Sequence, residues 1–292
     1  GELVSTAFYG YTARLLARIA GALGKTGDQA RYTALADRIG CAFNARFWDE
    51  ASGGYGTNSQ SCNALALWMG LAPEEHIPRV VHNLVNDVTN LHGLHLTTGN
   101  ICTKYLLEAL ADRGHADLAL ALATQITYPS WGYMLANGAT TLWERWEHSV
   151  GSGMNSHNHP MMGSIGSWLY KILAGIRVAP NTSGFDHFVI RPAIVTGLEW
   201  VSAEHRTVRG IIRSSWRRFG DSLAVTVEIP VNSRALVTLP LTWPEQTIWE
   251  SSVCVCGSEC AKQAGVTLLQ RDGTTAVFEI GSGSYEFEIR RS

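Results

Sequence analysis

The chain has 292 residues, of which 46% are hydrophobic and 16% are charged, and 23 Lys and Arg against 25 Asp and Glu leave a formal net charge of −2. This composition excludes an intrinsically disordered chain, and the lack of a long basic run gives no electrostatic footprint for nucleic acid. No apolar stretch approaches the ~20 residues that span a bilayer, so no membrane partner is expected. The length predicts one or two domains with cores of their own.

The first part of the chain has the spacing of amphipathic helices. Apolar residues recur every three or four positions in two long stretches, and about seven helices are expected in all. The first stretch carries Val4, Ala7, Phe8, Tyr11, Leu15, Ile19 and Leu23, and the second carries Tyr32, Leu35, Ile39, Phe43 and Phe47. The shorter predicted helices lie near residues 60–70, 74–88, 103–113, 115–125 and 160–176.

Near residue 178 the pattern changes to short alternating runs bounded by Gly, Pro, Asn and Asp. Runs of this length and spacing predict an antiparallel β-sandwich. We therefore expect a helical domain over residues 1–177 and a β-sandwich domain over 178–292, with turn-forming residues at 178–184. The predicted strands are residues 187–190, 199–206, 210–218, 222–229, 234–239, 266–269, 276–280 and 285–289.

Six cysteines are spread along the chain, and Cys254, Cys256 and Cys260 form the spacing C-x-C-x3-C. This is not the paired C-x2-C of zinc sites and no histidine lies near it, so no metal is predicted there. The cysteines are expected to be free thiols. Free thiols in turn indicate a reducing, cytoplasmic compartment.

Residues 128–168 hold the densest set of candidate functional side chains, with three Trp, two Glu and two His in the runs 128–134, 138–147 and 154–160, whose sequence is typical of loops. Aromatic rings can cover the apolar face of a sugar while polar groups bind its hydroxyls, so a sugar site is plausible here. A structural alternative is a helix with Trp143 and Trp146 on its packed face and Glu144 and Glu147 on its solvated side. Metal binding by the closely spaced histidines is not expected, because no further carboxylate or Cys lies beside them.

Several runs resemble the motifs of glycoside hydrolase family 78, the α-L-rhamnosidases. The most specific is Gly-Ala-Thr-Thr-Leu-Trp-Glu-Arg-Trp at 138–146. The resemblance extends over the helical part and, by pattern rather than by motif, into the β part. The other matching runs are Leu3–Ala17, His95–Gly99, Thr103–Leu107, Tyr128–Trp131, Met154–His159, Trp168–Tyr170 and Ala174–Ile176.

The resemblance implies a partial (α/α)6 barrel followed by a β-sandwich, and inverting hydrolysis of terminal α-L-rhamnosides without a cofactor or metal. In such a reaction one carboxylic acid protonates the leaving oxygen and a carboxylate about 6.5–9.5 Å away activates water. By the motif, Glu144 is the general base, and Glu147 is the alternative. The remaining candidates, expected to contact a rhamnose-containing glycoside, are Trp131, Trp143, Arg145, His95, His159 and Glu2, with Arg145 also expected to keep the Glu144 carboxylate ionised.

The chain departs from the family pattern at the general acid, which the family carries in a Gly-Asp-Trp segment that is absent from these 292 residues. We therefore expect the chain to correspond to the C-terminal part of such an enzyme, active only if the acid is supplied. Such a part would expose the apolar face of its first helix, including Val4, Ala7, Phe8, Tyr11 and Leu15, and a homodimer through that face is expected.

Two other functions remain open at this point. A partial barrel could be a non-catalytic carbohydrate-binding or self-associating module. A different hydrolase such as an esterase would need a nucleophile, and Ser156 beside His157 and His159 is the candidate, although no Gly-x-Ser-x-Gly elbow is present.

Overall fold

By their internal contacts the residues divide into two compact units, a helical unit over residues 1–165 and a β unit over residues 166–292. Met154 of the predicted site and Asn181 of the predicted linker lie outside the described residues. The computed structural model describes residues 1–151, 155–180, 182–243, 245–257 and 260–291.

The helical unit contains eight α-helices within the described residues, and the last of them runs across its boundary: α1 (Glu2–Ala22), α2 (Thr26–Phe47), α3 (Gln60–Trp68), α4 (Ile77–Asn86), α5 (Asn100–Asp112), α6 (Ala116–Ala123), α7 (Trp131–Ala136) and α8 (Ser164–Trp168). Helices α1, α3 and α5 pack in a row, and each also packs on the helix that follows it in sequence. Three consecutive helical hairpins result, which is the arrangement expected for part of an α/α barrel.

Shorter elements complete the helical unit and continue into the β unit. Strands β1 (Trp48–Asp49) and β2 (Gly54–Tyr55) form a small antiparallel hairpin after α2. A π-helical turn spans Asp87–Leu91, a 3-10 turn spans Pro160–Gly163, and a second π-helical turn spans Leu169–Leu173.

The buried face of α1 differs from the predicted one. Its buried residues are mostly small, and a Cβ on Gly10 would lie only 3.2 Å from Ile39 of α2, so small side chains let the two helices approach closely. Of the predicted face, Ala7 is buried, but Ile19 and Leu23 are more than half exposed. The periodicity of apolar residues identifies the large apolar side chains of a helix. It does not show that Ala and Gly form the close contact between α1 and α2. The buried stripe is Leu3, Ala7, Gly10, Ala13, Ala17 and Ala20.

The β unit consists of two sheets, made by β3 (Ile176–Val178), β4 (His187–Ile190), β5 (Trp200–Thr207), β6 (Gly210–Phe219), β7 (Ser222–Ile229), β8 (Arg234–Pro240), β9 (Thr247–Glu250), β10 (Val253–Cys256), β11 (Val266–Arg271), β12 (Thr275–Ile280) and β13 (Gly283–Arg290). The six-stranded sheet has the order β10-β9-β13-β7-β6-β5, and the five-stranded sheet has the order β11-β12-β8-β4-β3. The pairing is antiparallel except between β4 and β8, which run parallel. The sandwich fold predicted from the sequence is confirmed.

Alternating burial explains why these segments form strands. Val225, Val227 and Ile229 of β7 are buried while the residues between them are more exposed, and β8 shows the same period of two. Phe278 of β12 and Phe287 of β13 have ring centroids 5.5 Å apart, which joins the inner faces of the two sheets.

All eight predicted strands are present, with bounds that differ by at most two residues. The sequence missed the short strands β1, β2, β3, β9 and β10, because two to four residues show too little alternation. Strand β3 pairs with β4, so a strand of the five-stranded sheet crosses the boundary predicted at 177/178.

In the described part of the chain no helix is both long enough and apolar enough to cross a membrane. All six cysteines are free thiols. Burial raises the pKa of the Cys102 and Cys256 thiols, because loss of solvent disfavours the charged thiolate.

Candidate functional site

Two segments of the helical unit, 141–144 and 156–159, are held side by side by hydrogen bonds. The Glu144 backbone N–H donates to the Ser156 carbonyl at 2.9 Å, and the His159 N–H donates to the Leu142 carbonyl at 2.9 Å. The Thr141 hydroxyl donates to the His157 carbonyl. Residues 139–150 contain no helix, so the alternative of a packed helix carrying Trp143 and Trp146 is wrong.

Two indole groups anchor this part of the chain to the rest of the helical unit. Trp146 is buried, and its Nε1 donates to the Thr98 carbonyl at 2.8 Å. Trp131 meets Trp146 edge to face with ring centroids 5.0 Å apart, and its Nε1 donates to the Met162 carbonyl at 3.0 Å. The long-range bonds therefore fix where the loop lies, although the loop has no regular secondary structure.

Trp131 was expected in a loop, but it begins α7 and is buried. Ser130 explains the helix start, since its hydroxyl accepts the Tyr133 backbone N–H at 2.9 Å as an N-cap. Trp131 also lines an open, mostly apolar depression of about 230 Å3. The other lining residues are Met134, Leu135, Ala139, Thr140, Thr141 and Leu142.

Trp143 forms a compact group with two histidines. The His148 ring stacks on it with centroids 4.9 Å apart, and the His157 ring lies 5.1 Å away at 30°. The two imidazoles are themselves 5.7 Å apart. His148 was missed by the sequence analysis, because only the fold of the loop brings it back onto Trp143.

The Glu144 carboxylate is half-buried beside this aromatic group. Its Oε2 accepts the backbone N–H of Ser156 at 3.0 Å, so the two residues are joined by bonds in both directions. In the described part of the chain, no hydrogen bond or ion pair to the Glu144 Oε1 is found. One carboxylate oxygen is fixed, and the other remains available for a ligand.

The expected pairing of Arg145 with Glu144 is wrong. Arg145 Nη1 instead contacts Glu147 Oε1 at 3.1 Å, and both side chains are about half exposed. The described ion pair of Arg145 is therefore with Glu147 and not with Glu144.

Two predicted histidines have clear local roles. His95 Nδ1 lies 2.8 Å from the Gly93 carbonyl, which assigns a proton to Nδ1, and its Nε2 lies within hydrogen-bond distance of the Thr127 hydroxyl at 2.7 Å. His159 Nδ1 accepts the Met161 N–H at 3.4 Å, at the start of the 3-10 turn. Of these two, only His159 belongs to the paired segments that hold Glu144.

Glu2 has a different location from the other candidates. It lies in the first turn of α1 with its side chain 77% exposed, and its Oε2 is 3.4 Å from Arg46 Nη2 of α2. The described contacts of Glu2 do not join it to the segments 141–144 and 156–159.

A buried hydrogen-bond network supports the segment that anchors Trp146. Gln60 Nε2 donates to Asp87 Oδ1 at 2.8 Å and to the His95 carbonyl at 3.0 Å, while Gln60 Oε1 accepts the Thr97 N–H at 2.8 Å. His92 Nδ1 contacts the same Asp87 oxygen at 2.8 Å. These residues come from separate elements, so no spacing in the sequence could have revealed the network.

The described residues include no cluster of three His, Cys, Asp or Glu side chains placed to hold a metal ion.

Comparison with known proteins identifies two family domains in the chain. Residues 1–173 match the bacterial α-L-rhamnosidase 6-hairpin glycosidase domain, and residues 175–250 match the bacterial α-L-rhamnosidase C-terminal domain. An α-L-rhamnosidase of Streptomyces avermitilis is 33% identical over 294 residues, covering 99% of this chain and 27% of that protein.

Solved structures agree with these matches. The α-L-rhamnosidase of Dictyoglumus thermophilum superposes with a TM-score of 0.90 at 35% identity, over 100% of this chain and 32% of that one. The Streptomyces avermitilis α-L-rhamnosidase complexed with L-rhamnose gives a TM-score of 0.87 at 33% identity, over 99% of this chain and 27% of that one. The chain thus spans less than a third of the length of these relatives.

Proposed function

The chain belongs to the bacterial α-L-rhamnosidase family, and from that premise we propose that it supplies the general base and part of the sugar site of an inverting α-L-rhamnosidase. The substrate is a glycoside with a terminal α-L-rhamnose. No cofactor or metal takes part in the proposed reaction. The family match carries the reaction class, and the geometry of residues 141–151 and 155–159 supports the assignment of individual residues.

The environment of Glu144 is the observation that carries the assignment of the base. A base must be held in place and keep an oxygen free to take a proton from water. The bond from the Ser156 N–H to Glu144 Oε2 fulfils the first requirement, and the available Oε1 fulfils the second. Glu147 also has one oxygen engaged, by Arg145, and it remains the alternative because the family motif assigns the base to Glu144.

In the proposed reaction, Glu144 removes a proton from a water molecule that attacks the anomeric carbon from the face opposite the leaving group. A carboxylic acid on the other side protonates the leaving oxygen, and the sugar is released with inverted configuration. The resemblance assigns the acid to a Gly-Asp-Trp segment, which these 292 residues do not contain. The proposal for this chain is therefore limited to the base and its surroundings.

We assign the sugar contacts to residues around the same loop. The flat group of Trp143 with its two histidines offers an aromatic and hydrogen-bonding surface, and Trp131 offers one wall of the neighbouring apolar depression. Arg145, His95 and His159 are proposed as polar contacts. Glu2 is the weakest member of the set, because its described partner is Arg46 on α2.

Hydrolysis of nitrophenyl α-L-rhamnopyranoside tests the proposal, because nitrophenolate is a good leaving group that departs with little help from a general acid. Replacing a positioned base commonly lowers the rate by about 10²- to 10⁴-fold, so Glu144→Gln should lose that much activity while Glu147→Gln stays near the level of the unaltered chain. Proton NMR of the first product formed should show the inverted anomer.

The controls separate the proposal from its main alternative. Binding of L-rhamnose by calorimetry without release of nitrophenol would identify a non-catalytic sugar-binding module. Equal losses in Glu144→Gln and Glu147→Gln would contradict the assignment of the base. Neither hydrolysis nor rhamnose binding would contradict the proposed function as a whole.

We also propose that two copies associate through exposed apolar residues of α1 and its C-terminal end, a surface that overlaps only partly with the face expected from the sequence. Ala7 is buried and Phe8 packs on Tyr105 with centroids 5.9 Å apart, so those residues are engaged within the chain. The exposed apolar residues of α1 and of its C-terminal end are three, four or seven positions apart. They therefore form one stripe along the helix surface. The stripe consists of Tyr9, Leu16, Ile19 and Leu23.

Light scattering at micromolar concentration measures this association. The expected mass is twice the 31.8 kDa of one chain, and Ile19→Asp should restore the single mass because it places a charge in the interface. Val208→Asp, at an exposed apolar residue of the β unit, is the matched control and should leave the dimer intact. A single-chain mass at every concentration would contradict the association.

A further inference from the structure

A polar pocket in the β unit has no part in the reaction proposed above. It is an open depression of about 350 Å3, a volume within the usual range of about 300–1,000 Å3 for small-ligand sites. The first residues of β4 and β8 and two turns meet there. The lining residues are Asp186, His187, Arg209, Asn232, Ser233 and Arg234.

The backbone around this pocket is firmly built. The Arg234 N–H donates to the Asp186 carbonyl at 3.0 Å, and β4 and β8 pair in parallel from His187 and Arg234 onward. Asn232 has a φ of +58°, a left-handed conformation that asparagine tolerates better than most residues. Hydrogen bonds and a fixed turn therefore hold the lining residues in position before any ligand arrives.

Two buried polar atoms at the pocket are not satisfied by the described protein. Neither Ser233 Oγ nor His187 Nε2 has a hydrogen-bond partner, and Ser233 is only 6% exposed. A buried polar atom without a partner is costly, and in native proteins such atoms commonly mark a site for a ligand or an ordered water. Rotation about a single bond can turn the Ser233 hydroxyl toward a group in the cavity.

The charges at the pocket favour one singly charged anionic group. In the lining, Arg209 and Arg234 provide two guanidinium groups and Asp186 one carboxylate, while the Glu279 carboxylate lies outside the lining near Arg234. Arg234 is 65% exposed at its side chain, and its Nη1 is 3.9 Å from Glu279 Oε1, too far for a hydrogen bond. A guanidinium in this state can bind a carboxylate through two parallel hydrogen bonds.

The remaining lining residues favour a ligand that also carries hydroxyl groups. Asp186 and the Asn232 carbonyl oxygen can accept hydrogen bonds from hydroxyls, whereas a doubly charged phosphate would be repelled by the Asp186 carboxylate. From this combination we propose that the β unit binds a carboxylate-bearing sugar, a uronate, in the pocket between Arg209, Arg234 and Ser233. The site is separate from Glu144 and does not depend on the function proposed for it.

Calorimetric titration of the 292-residue chain with sodium D-glucuronate near neutral pH tests this proposal. D-glucose has the same ring without the carboxylate, and acetate has a carboxylate without the ring, so each should bind at least about tenfold more weakly. Perturbation of the His187 imidazole NMR signals by glucuronate would place the ligand at this pocket.

Variants identify the residues responsible. Arg234→Gln and Arg209→Gln should each weaken glucuronate binding by about tenfold or more, and circular dichroism should confirm that both remain folded. Arg206→Gln removes the same charge from an exposed position on β5 outside the pocket, and it should change affinity less than twofold. Glu144→Gln should have no effect, which separates this site from the proposed catalytic one.

Several outcomes would overturn the proposal. One is the absence of glucuronate binding at millimolar concentration, and another is binding that leaves the His187 signals unchanged. Acetate or inorganic phosphate binding as tightly as glucuronate would indicate a simple anion site. An equal loss of affinity in Arg206→Gln would indicate attraction by the overall charge rather than a defined pocket.

Discussion

The β unit and the loop that holds Glu144 fix their polar side chains by different means. In the β unit, neighbouring strands place Arg213 of β6 opposite Glu204 of β5 and Glu228 of β7, and the guanidinium contacts both carboxylates. In the helical unit, residues 139–150 have no such ladder, and the indole of Trp146 ties them to the Thr98 carbonyl. A repeated local pattern controls the first arrangement, and single long-range contacts control the second.

Two buried tryptophans test that difference most strongly. Trp146 donates to Thr98 in the loop, and Trp216 of β6 donates to the Leu173 carbonyl at 2.9 Å in the β unit. Trp146→Ala and Trp216→Ala should each lower the free energy of unfolding by about 3–5 kcal/mol, measured by urea denaturation. Only Trp146→Ala should also abolish L-rhamnose binding, because only that indole positions the loop around Glu144.

The variant Trp146→Phe refines this experiment, since it keeps a ring in the core and removes the indole N–H. We expect a smaller loss of stability and a clear loss of rhamnose affinity by calorimetry. Unchanged affinity in both Trp146 variants would show that the loop holds its position without this anchor.

Substitution of two glycines with positive φ should cause the next largest loss of stability. Gly175 has a φ of +76°, and a Cβ there would lie 2.2 Å from the Pro192 nitrogen, whereas Gly138 has a φ of +80° with nothing within 4 Å. Gly138→Ala should cost about 1–2 kcal/mol from the left-handed conformation alone. Gly175→Ala should cost clearly more, because the backbone of residues 191 and 192 must move, and equal shifts in the thermal melts would contradict this.

The cap of α7 gives a smaller effect in the helical unit. Ser130→Ala removes the hydroxyl that accepts the Tyr133 N–H and should cost about 1 kcal/mol of unfolding free energy. Ser59 precedes α3 without forming a side-chain cap bond, so Ser59→Ala is the matched control. A similar loss in both variants, measured by urea denaturation, would mean that the Ser130 cap contributes nothing specific.

The smallest expected effect is a pH dependence in the β unit. Hydrogen bonds from the Thr274 N–H and hydroxyl, and then from Thr275, lower the pKa of Asp272 from 3.8 to about 2. Because the folded pKa is depressed, this stabilisation is present above about pH 4 and is lost as the pH falls through about 2. Asp272→Asn should flatten that part of the stability profile, while Asp221→Asn at the β6–β7 turn should not.

The strands show how far local pattern predicts the fold. Residues 222–229 and 187–190 were predicted with the bounds that the structure has, because inward and outward side chains alternate along each strand. The pattern could not show that β4 and β8 run parallel, since strand direction depends on the connections between them. In α1 the apolar spacing was correct for a helix but marked the wrong face, because small residues form the close contact with α2.

The sequence by itself determined the two-part architecture, the family and the motif that singles out Glu144, since periodicity and a specific run of residues are properties of the chain alone. Only the tertiary structure decided that Arg145 pairs with Glu147, that Trp131 is buried and that His148 and His157 form a group with Trp143. These arrangements depend on contacts between residues far apart in sequence or on the path of an irregular loop. Long-range contacts and irregular loops leave no repeating signal in the sequence, because each contact is made once and is fixed by the packing of the whole unit.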